Sequence, residues 1–223
     1  MVFVWVTSRI RRTRWRVTGN NAYTLTPPSR EGQEFMRVIA GKYKGKRWDV
    51  PHTFKARPTT DFAKEGLFNI LHNVYIDFDE HPSALDLFCG TGSISLELLS
   101  RGCCPVVSVE KDFKHYQYLR RISADLNDPN WHPVMADVFK FLKSPAVNGK
   151  WSDGKLYDLI FADPPYALEN LKDIPDYIFQ EGRTLLNPEG IFVLEHGRDY
   201  DFSSHPHYVE HRNYGSVNFS FFQ

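Results

Sequence analysis

From residue 84 onward the chain alternates short apolar runs with stretches of helical period, and this alternation limits the possible folds more than any other feature. The apolar runs fall at 84–88, 106–110, 133–135, 156–162 and 191–195, with helical patterns between them at about 93–101, 112–126, 138–143 and 169–186. Short strands separated by helices imply a parallel sheet covered on both faces, an α/β doubly wound arrangement. The end of the chain differs. Residues 208–212 and 217–222 alternate around Asn213-Tyr-Gly-Ser216, which predicts an antiparallel C-terminal hairpin.

Ahead of this body, Arg37-Val-Ile-Ala40 and Arg47-Trp-Asp-Val50 flank the turn Gly41-Lys-Tyr-Lys-Gly45 and read as a short β-hairpin. Pro51 and Pro58 bound a loop. Asp61 can cap a helix reaching about Tyr75, with Ala63, Leu67, Ile70, Leu71 and Val74 at helical spacing. Three segments are expected: a basic extension over 1–35, a hairpin and helix over 36–80, and an α/β domain over 81–223. The first can equally be a stretch upstream of a natural start at Met36.

Charge sharpens this division. The 27 basic and 27 acidic side chains cancel overall, yet residues 1–35 carry six Arg against two Glu. Residues 36–64 carry eight Lys or Arg against Asp49 and Asp61, and residues 65–223 carry 13 basic against 23 acidic side chains. A basic front joined to an acidic body points to a polyanionic partner. No apolar run approaches the roughly 18 residues of a membrane span. The arginines that follow Met1–Val6 are on the wrong side for a signal peptide, so a cytoplasmic protein without membrane attachment is expected. Cys89, Cys103 and Cys104 form no disulfide framework, and His205, His207 and His211 lack partner cysteines, so no metal site is expected.

Two strand ends carry the chemistry. The first parallel strand runs into Leu85-Asp-Leu-Phe-Cys-Gly-Thr-Gly-Ser-Ile-Ser95, where Gly90 and Gly92 let backbone approach a ligand. Glu110, at the end of the next strand, can accept both hydroxyls of an adenosyl ribose. Ser95 stands where a dinucleotide fingerprint has its third glycine, which favours a nucleoside without phosphates. Asp86 suits a cationic amino-acid end, as in S-adenosylmethionine. Asp137, ahead of Val138, can take an adenine amine or cap a helix.

The second strand end is Tyr157-Asp-Leu-Ile-Phe-Ala162 running into Asp163-Pro-Pro-Tyr166. Pro164 and Pro165 fix φ and remove two N–H groups, which leaves the Asp163 carboxylate and the Pro164 carbonyl as acceptors without competing donors. Such a pair can bind an exocyclic base amine and aim its lone pair at a methyl sulfonium. Tyr166 offers a stacking face worth about 1–3 kcal/mol.

These stretches together resemble class I S-adenosylmethionine-dependent methyltransferases, specifically the RsmD family, which methylates a guanine N2 of 16S ribosomal RNA. The resemblance rests on Met36-Arg-Val-Ile-Ala-Gly-Lys-Tyr-Lys-Gly-Lys46, Arg57-Pro-Thr-Thr-Asp61, Glu65-Gly-Leu-Phe-Asn-Ile-Leu71, Asp86–Gly92 with Glu97 and Ser100-Arg-Gly102, Val109-Glu-Lys111 and Asp158–Tyr166. It covers Met36 to the end. The family resemblance implies a Rossmann-like, mostly parallel seven-stranded sheet. It implies S-adenosylmethionine, spent as S-adenosylhomocysteine, held by Asp86, Phe88, Cys89, Gly90, Gly92, Glu110, Lys111, Asp137 and Val138. The target amine is expected at Asp163, Pro164, Pro165 and Tyr166, with Arg57, Thr59 and Thr60 beside it. Lys42, Lys44, Lys46, Arg47, Lys55 and Arg57 are expected to face RNA phosphates, on a protein acting as a monomer. Phe62 departs from the family, where a basic residue is common, and Cys89 replaces a small residue. Alkylation of Cys89 is therefore expected to be blocked by S-adenosylmethionine. The alternatives are another exocyclic-amine methyltransferase, such as an adenine N6 enzyme, and a nicotinamide-dependent oxidoreductase sharing the glycine loop.

Overall fold

The computed structural model describes residues 35–54, 61–143, 156–180 and 184–223. The basic extension up to residue 34, and Lys55, Arg57, Thr59 and Thr60 among the expected RNA contacts, lie outside the described residues.

β1 (Phe35–Arg37) and β2 (Arg47–Asp49) form a two-stranded antiparallel ribbon. Then come β3 (Ala84–Leu87), β4 (Val106–Glu110), β5 (Trp131–Met135), β6 (Tyr157–Ala162), β7 (Leu186–His196), β8 (Tyr208–Tyr214) and β9 (Val217–Phe222). These make a seven-stranded sheet in the order β5-β4-β3-β6-β7-β9-β8. The strands from β3 to β7 are parallel, and β9 lies antiparallel between β7 and β8. The predicted architecture is thus the observed one. Every residue of β3 and β4 is buried, as expected for central strands covered on both faces. The strand order turns back between β3 and β6, which are direct neighbours with Leu87 opposite Ala162. Ligands of open α/β sheets bind beyond the carboxyl ends at such a switch point.

Helices α1 (Asp61–Ile70), α2 (Ser93–Arg101) and α3 (Phe113–Leu126) pack one apolar cluster with the hairpin side chains Met36, Val38 and Val50. A second cluster joins α4 (Val138–Lys143) and α5 (Ile174–Ile178) to β3, β4 and β6. No helix among the described residues is long and apolar enough to cross a membrane.

α1 buries Ala63, Leu67 and Phe68, and side chains of the last two kinds contribute about 1.5–3 kcal/mol each when fully buried. The chain stays helical to Tyr75, but through a widened turn closed by Ile76 N to Leu71 O at 2.7 Å. That widening turns Val74, expected on the apolar stripe, out to solvent at 64% exposure.

Three other sequence expectations shift. The first hairpin strand ends at Arg37, because the Ile39 and Ala40 amides donate to the Glu97 carboxylate at 2.7 and 3.0 Å. β5 starts at Trp131, which pairs with Val106 and is buried. Among the described residues, the helix expected over 169–186 is limited to one tight turn at Leu171–Asp173 and the short α5, which carries Pro175 in its first turn; residues 181–183 lie outside the described residues. Leu186 is instead the first residue of β7, opposite Tyr157, and Asn187–Gly190 bulge out of the ladder against Asp158. Periodicity cannot see such pairing.

α2 is the hub. Ser93 to Ser100 are all buried because the segment from Arg37 to Lys42 runs along the outer side of the helix. Lys64 Nζ donates to Arg37 O at 2.6 Å and to Ser93 Oγ at 3.1 Å, at the start of α2. Glu97, fully buried, takes the Ile39 and Ala40 amides and Arg101 Nε. Lys42 N bonds Ser100 O at 2.8 Å near its end. Gly41 is required there: at φ +79°, a Cβ would sit 1.9 Å from Ser100 O.

Candidate active site

The loop after β3 turns sharply. Phe88, Gly90 and Gly92 have φ of 58°, 53° and 79°, three left-handed residues within five. A Cβ on Gly92 would meet Leu119 Cδ2 at 2.6 Å, so this glycine is fixed by packing as well as by φ. A Cβ on Gly90 would meet nothing closer than Phe88 O at 3.9 Å, so the loop presents bare backbone to an open side.

Three carboxylates surround it. Glu110 accepts Gly90 N at 2.9 Å on one oxygen and Asp112 N at 2.6 Å on the other. Each oxygen keeps a second lone pair, so the group that shapes the loop can still accept two hydroxyls. Asp86 is buried in β3 and accepts from Ser95 Oγ. Asp163 is half-buried at the end of β6, its amide on Leu87 O at 3.3 Å. Burial pushes the Asp86 carboxyl up to about 7 against the Ser95 hydrogen bond, and the Asp163 charge adds to the rise. Burial likewise pushes Asp163 up to about 7. Buried carboxylates facing one another favour a cationic ligand, which relieves both causes.

Ser95, which replaces the third glycine of a dinucleotide loop, belongs to a polar chain that sequence reasoning missed. Trp131 Nε1 donates to Ser108 Oγ at 2.8 Å, Ser108 Oγ donates to Ser95 Oγ at 2.7 Å, and Ser95 donates to Asp86. An indole only donates and each hydroxyl has one proton, so all these bonds point toward the Asp86 carboxylate. The available signal was Ser108, a polar residue inside an otherwise apolar strand.

The remaining expected residues spread around the rim. Lys111 pairs with Asp137 at 2.8 Å, and this bond is the main cause holding the Asp137 carboxyl below its ordinary value. Asp137 also caps α4 through Lys140 N at 3.2 Å, so the capping role is observed. Val138 points its side chain into the core with Leu85 and Val107, which leaves only its backbone for the rim. Phe88 packs at the edge of the same cluster, its ring 6.2 Å from that of Phe139. Pro164 is buried and Pro165 exposed. Tyr166 is 45% exposed, its hydroxyl donates to Glu195 Oε1 at 3.2 Å, and its carbonyl accepts from Tyr200 at 3.3 Å. Glu195, at the end of the adjacent strand β7, is a further residue that the sequence did not single out.

Cys89 is 9% exposed, and burial pushes its thiol well above the ordinary value. Cys104 is the exposed thiol. Mass spectrometry after brief alkylation at neutral pH should therefore find label at Cys104, with Cys89 modified only after unfolding. Rapid labelling of Cys89 would contradict this loop packing. Protection of Cys89 by a ligand is accordingly a poor assay for the site.

The hairpin cations separate along α2. Lys42 is tied to Asp128 at 2.7 Å, and Tyr43 bonds the same oxygen. Lys44, Lys46 and Arg47 are exposed.

Residues 36–223 match the family model described as "Conserved hypothetical protein 95". The chain is similar to "Ribosomal RNA small subunit methyltransferase D" of Buchnera aphidicola, 34% identical over 61% of this chain and 64% of that protein. It is similar to the protein of that description from Escherichia coli K12, 32% identical over 71% of this chain and 74% of that one. The match thus spans just under two thirds of the Buchnera relative. The solved structure of a putative methyltransferase from Escherichia coli superposes with a TM-score of 0.69 at 27% identity, over 85% of this chain and 98% of that one. The chain belongs to the Conserved hypothetical protein 95 family, the RsmD family its motifs resemble.

Proposed function

We propose that this protein is an S-adenosylmethionine-dependent ribosomal RNA methyltransferase and that its target is the exocyclic N2 amine of a guanine in the small-subunit RNA. The observation that carries this reading is the neighbourhood of the two strand ends: the bare-backbone loop at Gly90 and the Asp163-Pro-Pro-Tyr166 turn meet across the β3–β6 switch point. The relatives described as ribosomal RNA methyltransferases support the substrate class.

The residues fit the methyl donor by chemistry. Glu110 would hold the ribose through its free lone pairs, Asp86 would face the cationic amino-acid end, and Asp137 would stand near the adenine. When bound, S-adenosylmethionine supplies an electrophilic methyl on a sulfonium. The protein's part is positioning. Asp163 and the Pro164 carbonyl accept the two N–H groups of a base turned out of its stack, and Tyr166 provides the stacking face. A carboxylate raised to about 7 can also hold the proton the amine sheds on methylation.

This sets the sign of the pH dependence. Below its value of about 7, Asp163 carries a proton and donates instead of accepting. Activity, read as kcat/KM for the methyl donor, should fall as pH drops through 7 and level off above it. Asp86, whose carboxyl burial also raises, contributes to the same acid limb. A profile flat between pH 5.5 and 8.5 would remove both carboxylates from the mechanism.

The direct test is incubation with methyl-labelled S-adenosylmethionine and 16S ribosomal RNA, free or in small subunits, followed by digestion to nucleosides. N2-methylguanosine is the expected product. N6-methyladenosine would transfer the protein to the adenine alternative.

A further inference from the structure

The hairpin presents two candidate RNA surfaces, and the structure distinguishes them. One is the tip, Lys42 to Lys46. The other is the outward face of the β1–β2 ribbon. Met36 is buried and Trp48, opposite it, packs on the core, so the alternate residues Phe35, Arg37, Arg47 and Asp49 face outward.

On that face Arg37 and Arg47 are directly opposite each other. Like charges in that position cost stability, which a bound anion relieves. The Arg47 guanidinium lies over the Phe35 ring at 4.8 Å, and Phe35 is 45% exposed. Arg37 gives one nitrogen to Asp61 at 2.6 Å and keeps its side chain 40% exposed. A planar guanidinium stacked on an exposed aromatic ring, with a second guanidinium beside it, suits a phosphodiester next to an unstacked base.

Height along α2 decides between the two. Arg37 O and Ser93 Oγ share the ammonium of Lys64, which places Arg37 level with the residue after Gly92. The tip is level with Ser100, seven residues further down α2, about 10 Å away from the rim at 1.5 Å per residue.

We propose that Arg37 and Arg47, with Phe35, grip the RNA backbone next to the target nucleotide, and that the tip lysines do not. The assignment rests on the RNA-methylating reading above. It is tested by equilibrium binding of 16S ribosomal RNA, free and in small subunits from cells lacking the protein, over a range of salt. The variants are R37Q/R47Q and K44Q/K46Q, with thermal melting and S-adenosylhomocysteine calorimetry as controls on folding and on the methyl-donor site. The arginine pair should lose roughly tenfold in affinity and flatten the logarithmic salt slope by about 1.4, two single-strand phosphate contacts. The lysine pair should stay within about twofold of the unsubstituted protein. Equal losses, or a larger loss for the lysines, would overturn the assignment and leave the methyltransferase reading standing. Absence of salt-sensitive RNA binding by the unsubstituted protein would overturn both.

Discussion

Asp163→Asn should lower kcat about 10²–10⁴-fold while leaving S-adenosylhomocysteine affinity within about threefold. The asparagine keeps the shape of the side chain but turns one acceptor into a donor, facing an amine that has only protons to offer. Because Asp163 is half-buried and its amide stays on Leu87 O, the strand end keeps its geometry. The variant should also gain stability slightly at neutral pH, since the burial that raises the carboxyl to about 7 penalises its charged form. Single-turnover methylation and calorimetry on one preparation check both halves. A loss of donor affinity as large as the loss in kcat would show a structural residue instead of a catalytic one.

Glu110→Gln should act on the other half of the reaction. The carboxylate accepts Gly90 N and Asp112 N, and an amide can serve only one of them while its NH₂ opposes the other. Hydrogen bonds to a charged group are worth about 1.5–3 kcal/mol each, so two ribose hydroxyls together with a displaced loop predict at least about a 100-fold weaker methyl donor. Calorimetry reads this directly. Turnover at saturating donor should recover most of its rate, the inverse of the Asp163 pattern. An unchanged affinity would move the ribose away from Glu110.

The contrast between what the sequence conveyed and what it withheld has a physical basis. The sheet, the glycine loop and the Asp-Pro-Pro-Tyr turn are local in the chain: burial of short apolar strands and fixed φ angles write themselves into consecutive residues. The placement of the basic residues is not local. Lys42 meets Asp128 and Glu97 meets Ile39 and Ala40 across large sequence separations, so a row of lysines read as an RNA surface includes one side chain spent on holding the hairpin down. Ser95 shows the intermediate case. Its failure to be glycine was visible and excluded a dinucleotide loop, but its role as the last link from Trp131 and Ser108 to Asp86 required the strand register between β4 and β5. The helix expected over 169–186 failed for a similar reason, since only pairing with Tyr157 draws Leu186 into β7.

In the proposed reaction Asp163 presents a guanine N2 of the small-subunit RNA to the methyl donor. Mass spectrometry of 16S ribosomal RNA nucleosides from cells lacking this protein tests it most directly, with the gene restored either unsubstituted or as Asp163→Asn. The deletion strain should lose one N2-methylguanosine per small subunit, restored by the unsubstituted protein and not by the variant. An unaltered N2-methylguanosine content in the deletion strain, or restoration by Asp163→Asn, would contradict it.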